Sequence, residues 1–232
     1  MTTLCVLQHT EGEFLGLMED HFESRAIRFS YVRPFVPGAA IPTAVVGYDG
    51  LVLLGAGPRG IVSGDLLPSL GPELRLARAF LAARLPVIGI GLGSALLAVA
   101  AGGGAAPEPL RFQLGMARRT DPLALAGHLP PHYPFALYMR DRALPPPTAR
   151  VLAEDEAGAP ALFQIGENSF GFAGHPGMKR AMVEDLVMEF EETPPDLAAG
   201  LAAFAVRQRA IAEALREIMV GLVKRAGLMP PA

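Results

Sequence analysis

The apolar positions of the chain fall into two rhythms. "LCVLQH" (4–9) is an apolar run that predicts a buried first strand. "FLGLMEDHF" (14–22) places Phe14, Leu17, Met18 and Phe22 at helical spacing, and "AIRFSYV" (26–32) alternates as a strand does. A Pro-rich loop, "PFVPGAAIP" (34–42), follows. "YDGLVLLGAGPRG" (48–60) is a continuous apolar strand that ends in a glycine loop. "PELRLARAFLAARL" (72–85) predicts an amphipathic helix, "PVIGI" (86–90) a buried strand and "SALLAVAA" (94–101) another helix. Strands that are apolar throughout belong in a parallel sheet covered on both faces, so this half predicts an α/β architecture.

The second half has a different rhythm. Short β-like pieces follow one another: "FALYM" (135–139), "ARVLA" (149–153), "ALFQI" (161–165) and "FGFAGH" (170–175). They suit added strands, some antiparallel. "MKRAMVEDLVMEFEE" (178–192) predicts a helix, and "TPPD" (193–196) a helix start with Asp196 as N-cap. The final helix is expected from Leu197 to about Arg225. Along it Leu197, Leu201, Phe204, Gln208, Ile211, Leu215, Ile218 and Leu222 recur at alternating spacings of four and three. Such a seam packs lengthwise against a partner, with Gln208 able to set register. It predicts self-association or a partner contact through 197–225; the alternative is a helix folded back on its own domain. One domain over 1–192 and a helical extension over 193–232 are expected.

Composition narrows the partners. About half of the 232 residues are apolar, enough for a sizeable core. The net charge is -3 and there is no long basic run, so nucleic acid is not an expected partner. Residues 85–107 carry no charge, but they include Pro86, Ser94 and six glycines, and strand, turn and helix account for them better than a membrane span. The N-terminus lacks a basic segment followed by an apolar run, so no signal peptide is expected. Cys5 is the single cysteine, which suits a reducing cytoplasm. No metal or cofactor is expected.

Three stretches carry candidate chemistry. "PVIGIGLGSALLA" (86–98) has the shape of a nucleophile elbow, in which a strand turns sharply into a helix. Its tip, where Cys or Ser is expected, is Gly91. The N–H groups that open the helix, near Gly91 and Leu92, suit an oxyanion or carboxylate. "LLGAGPRG" (53–60) is a second glycine loop after an apolar strand, and Gly55 and Gly57 would share a crevice with the elbow. "FGFAGHPG" (170–177) puts His175 at a strand end. Each also has a plain structural reading, as a packed turn or a core histidine.

Together these stretches resemble the class I glutamine amidotransferases, specifically the domain like that of GMP synthase. The resemblance runs from about Leu4 to Phe190. "YDGLVLLGAGP" is similar to that family's "yDGliilGGP", and "PVIGIGLGSALLAVAAGG" to its "PvlGICLGhQlla.a.GG". "YMRDRALP" (138–145) resembles its "hwHgD…LP", and "NSFGFAGHPG" its "n.fGvQFHPE". The resemblance implies a flavodoxin-like fold: an open, mostly parallel sheet with helices on both faces, added short strands and, here, a long C-terminal helix. It also implies an elbow thiolate that attacks glutamine, a histidine that helps generate it, a carboxylate that orients the histidine, and ammonia passed to a synthetase.

The chain departs from that pattern at the chemistry. Gly91 stands at the nucleophile position, Ala95 at the elbow Gln and Gly177 at the carboxylate. Met139 or Arg140 replaces the family's histidine before Asp141. Of the triad positions His175 alone remains. The expectation is an amidotransferase-like protein without glutaminase activity, acting in a binding or regulatory role, with a synthetase or a homodimer as candidate assembly. Gly55, Gly57, Gly91, Leu92, Arg140 and Asp141 would line the crevice. Arg59, Arg140, Lys179 and Arg180 at its mouth would suit a small anionic ligand; the alternative is four solvated charges. A second expectation is altered chemistry, with His175 as acid/base helped by Asp141 or Arg140. A third is an interaction module built on the last helix. An unrecognised nucleophile would have to be Ser94 or Cys5.

Overall fold

A computed structural model describes residues 1–195 and 197–229. The N-cap expected at Asp196 lies outside the described residues. The first half holds strands β1 (Thr3–Leu7), β2 (Arg28–Val32), β3 (Gly50–Leu53) and β4 (Val87–Ile90), with helices α1 (Met18–Glu23), α2 (Leu70–Ala82) and α3 (Leu92–Ala100). Strands β5 (Gly104–Ala106), β6 (Arg111–Arg119), β7 (His132–Met139), β8 (Arg142–Leu144), β9 (Arg150–Glu154), β10 (Pro160–Ile165) and β11 (Ser169–Phe172) follow. Helices α4 (Arg180–Glu189) and α5 (Leu197–Arg225) close the chain.

Nine strands form one sheet in the order β2-β1-β3-β4-β11-β10-β9-β6-β7. The pairs from β2 to β11 are parallel, and those from β11 to β7 antiparallel. Neighbouring residues of the parallel strands point into different cores. Leu4, Val6, Val52, Ile88 and Ile90 join one cluster with α1 and the end of α5. Cys5, Leu7, Leu51, Leu53 and Val87 join another with α2 and α3. Both faces are therefore covered, which is why these strands read as unbroken apolar runs.

The uncharged stretch 85–107 is built around β4, α3 and β5, and no helix among the described residues is long and apolar enough to cross a membrane. The helix expected from residue 14 begins only at Met18, because Gly16 adopts a left-handed φ of 62° and turns the chain. Strands β5, β6 and β8 go beyond what the apolar pattern predicts. In β6, Phe112, Leu114 and Met116 do alternate, but Gly115 and the flanking arginines mask the pattern.

The seam of α5 is used inside the chain. Phe204 and Ile211 pack with Met178, Met182 and Tyr138, and Leu215, Ile218 and Leu222 with the first core. Gln208 bridges the two C-terminal helices: its Nε2 donates to the Met178 carbonyl (3.1 Å) and its Oε1 accepts from the Arg180 N–H (3.0 Å). The expectation of an intermolecular seam is corrected on this ground. The apolar stripe is as long as it is because it covers β6, β7 and both flanking helices.

Candidate functional site

The elbow is present in backbone form. Gly91 joins β4 to α3 with φ 56° and ψ -123°, a conformation that strains any residue with a Cβ. Its N–H donates to the Phe172 carbonyl (2.9 Å), tying the tip to the end of β11. A side chain at Gly93 would run into the Leu53 carbonyl, so that glycine lets α3 lie tightly on β3. At Gly91 a Cβ would meet only the Gly55 Cα, at an ordinary 3.6 Å. The tip thus has room for a side chain and carries none. Leu92 is buried at the start of α3.

His175, the histidine expected at the crevice, has both ring nitrogens engaged. Nδ1 accepts from the Gly177 N–H (3.1 Å), which leaves the proton on Nε2, and Nε2 donates to the Phe14 carbonyl (2.8 Å). The ring is buried, and burial pushes its pKa down to about 4. It is a neutral histidine bridging two backbone segments, with no nitrogen left for a proton from a crevice ligand. Gly177 is equally enclosed: a Cβ there would lie 3.0 Å from both the N and Cγ of Met18.

Asp141 and Arg140 hold the β3 loop. Asp141 is fully buried with φ 60°. Its Oδ2 accepts from the N–H groups of Ile61 (2.7 Å), Val62 (2.9 Å) and Ser63 (3.3 Å), and its Oδ1 from the Ser63 hydroxyl. The Arg140 Nε donates to the Pro58 carbonyl and its Nη2 to Glu192. The other expected cations are dispersed. Lys179 stands over the Phe14 ring at 5.6 Å, and Arg180 is exposed and paired with Glu184 at 2.8 Å. Arg59 is half-buried, and its Nε lacks a partner among the described residues.

Neither candidate replacement nucleophile is activated. Cys5 is buried in β1, on the α2–α3 face, and burial pushes its thiol up to about 12. Ser94 is buried, and its hydroxyl donates to the Gly91 carbonyl (2.7 Å). It borders a cavity of about 420 Å³ that Met139, Asp141, Arg142 and Ala173 also line. The two arginines of that wall share one carboxylate, since Glu108 pairs with both Arg111 (2.5 Å) and Arg142 (2.7 Å). No grouping of three or more metal-binding side chains occurs among the described residues.

The sequence pattern does not disclose three further residues at the β3 loop. His9 donates from Nδ1 to the Gly55 carbonyl (2.9 Å) and from Nε2 to Glu73 (2.8 Å), with both side chains fully buried. Both of its partners accept only, so the ring is an imidazolium. Burial alone would lower its pKa, but the Glu73 carboxylate, the Gly55 carbonyl and Glu13 together offset this and the pKa is raised. Glu13 is also buried, and its Oε2 accepts from the Gly57 N–H at 2.5 Å. Burial pushes its pKa up to about 7. A single hint lies in "TEGEFLG", a carboxylate between two glycines in the first loop.

No family model matches the chain, and no curated protein does. Solved structures do. A glutamine amidotransferase from Methylobacillus flagellatus superimposes with a TM-score of 0.82 at 22% identity, covering 100% of this chain and 97% of that one. A glutamine amidotransferase from Thermotoga maritima gives 0.79 at 21% identity, covering 97% and 98%. A proposed GMP synthase component from Thermoplasma acidophilum gives 0.61 at 15% identity, covering 90% and 98%. The sheet order, the elbow and these superpositions agree: the fold of this chain is that of the glutamine amidotransferases.

Proposed function

We propose that this chain is a class I glutamine amidotransferase-like protein that has lost glutaminase activity and serves in a binding or regulatory role. The observation that carries this reading is Gly91, an elbow tip in nucleophile geometry with space for a side chain and none present. A glycine cannot form a glutamyl thioester. The state of His175 supports it, because a neutral ring bonded at both nitrogens cannot generate a thiolate. The commitment of Arg140 and Asp141 to the β3 loop takes both away from an altered chemistry built on His175. On this reading the protein works in the cytoplasm, and the assembly it serves is one with a synthetase, or a homodimer formed through surfaces other than the α5 seam.

The test is ammonia and glutamate released from glutamine by the purified chain. The expected result is no release above the rate without protein. Release that disappears in a His175→Ala variant would overturn the proposal.

A further inference from the structure

The loop after β1 runs across the crevice. Glu13 is bonded to Gly57, in the loop after β3, and Phe14 is bonded to His175, in the loop after β11. In the sheet β4 lies between those two strands. Two adjacent residues therefore straddle the end of β4, where Gly91 sits. The crossing is pinned on both sides. The Glu13 N–H donates to Thr10 Oγ1 (3.0 Å), the Leu15 N–H to the Tyr31 hydroxyl (3.0 Å), and the N–H groups of Glu11 and Gly12 to Glu189 (3.2 and 3.1 Å). Gly55 leaves room for the carboxylate: a methyl group there would lie 1.9 Å from Glu13 Oε1. The same Gly55 is the sole neighbour that a Cβ on Gly91 would meet.

We propose that the crevice is a carboxylate site that the chain fills from within: Glu13 holds the Gly57 N–H in the place of an outside carboxylate or carboxamide. The charged and titratable groups facing Glu13 pull in both directions: the Gly57 N–H and His9 favour its anion, while burial and Glu189 oppose it. The His9 imidazolium approaches from the same loop, Glu189 from α4 and the buried Tyr138 hydroxyl from β7. Tyr138 Oη has no hydrogen-bond partner among the described residues, so the pocket around the carboxylate keeps one unused polar atom. The Gly57 N–H and the space kept open at Gly55 select an acceptor of carboxylate size. The ligand class that replaces Glu13 is a small carboxylate.

The probe is acetate, added to isotopically labelled protein while the Gly57 amide resonance is followed. In the native chain that resonance stays in place, because Glu13 occupies its N–H. In Glu13→Ala it shifts and saturates, with acetate bound roughly tenfold or more tightly than by the native chain, as one charge-assisted hydrogen bond would give. Glu13→Gln behaves like the native chain, since its amide oxygen still accepts from Gly57. Should Glu13→Ala not fold, Glu13→Ser gives the same readout. A folded Ala or Ser variant indifferent to acetate, or a native chain that binds it equally, overturns the inference. The inference rests on the reading of the crevice as inactive, yet the two fail separately. Ammonia release by the native chain counts against that reading, whereas an acetate-blind Glu13→Ala crevice counts against self-occupancy alone.

Discussion

The two sides of the crevice differ from the amidotransferase motif in different ways. On the elbow side two side chains differ from the motif, Gly91 at the nucleophile and Ala95 at the Gln, and the backbone is kept. Gly91 keeps the strained turn, the space for a Cβ and the tie to Phe172, while Asp141 holds the neighbouring loop by three N–H groups. On the histidine side the residue is retained and its availability is lost. His175 bonds Phe14 and Gly177 through its two nitrogens, and Met18 closes over Gly177. Matching a motif residue by residue would count the histidine side as the better preserved. Geometry reverses that order, because chemistry needs a free nitrogen and not merely an imidazole.

The contrast can be broken from either side. The largest effect is expected on the elbow side. Asp141→Ala leaves three N–H groups of the β3 loop without their acceptor and should cost about 3 kcal/mol or more in denaturant unfolding. An unchanged midpoint would mean that the loop does not depend on this carboxylate.

On the histidine side the signature is pH. His175 is depressed from 6.5 to about 4, so the folded chain resists a proton that the unfolded chain accepts. Its contribution is present in full above 6.5 and is lost as pH falls from 6.5 towards 4. The stability gap between the native chain and His175→Gln should therefore narrow by about 3 kcal/mol across that window. A gap that is constant with pH would mean that the ring is not held neutral. Comparing the two proteins cancels the opposing contributions of His9 and Glu13, whose raised pKa values withdraw stability as pH rises.

Two smaller effects sharpen the comparison. Gly91→Cys has space and meets only a backbone conformation that strains a Cβ, so its cost should be about 1–2 kcal/mol. Gly177→Ala places a methyl against Met18 and should cost about 1 kcal/mol. A Gly177→Ala chain as stable as the native one would show that the histidine side is looser than its packing implies.

The parts of this molecule that are legible in its sequence are those set by local pattern. Apolar runs at 4–9 and 48–53 mark strands covered on both faces, and the glycines at 89–93 mark the elbow. The α5 seam is legible as a seam, but periodicity does not say which surface it meets, and the partner is the chain's own sheet edge. The occupant of the crevice is not legible. Glu13 reaches Gly57 across 44 positions of sequence, and no spacing rule links a carboxylate in the first loop to an N–H after the third strand. The loop contacts of Arg140 and Asp141 are illegible for the same reason. Their neighbourhood is right, but the direction of each side chain is fixed by the loop it holds.

Whether the crevice lacks only its nucleophile is decided by glutamine hydrolysis in Gly91→Cys. A cysteine restored to the tip should release no ammonia, because His175 has no free nitrogen to activate it and Glu13 occupies the Gly57 N–H. Turnover of glutamine by that single variant would contradict this and would mean that both groups leave their bonds when substrate enters.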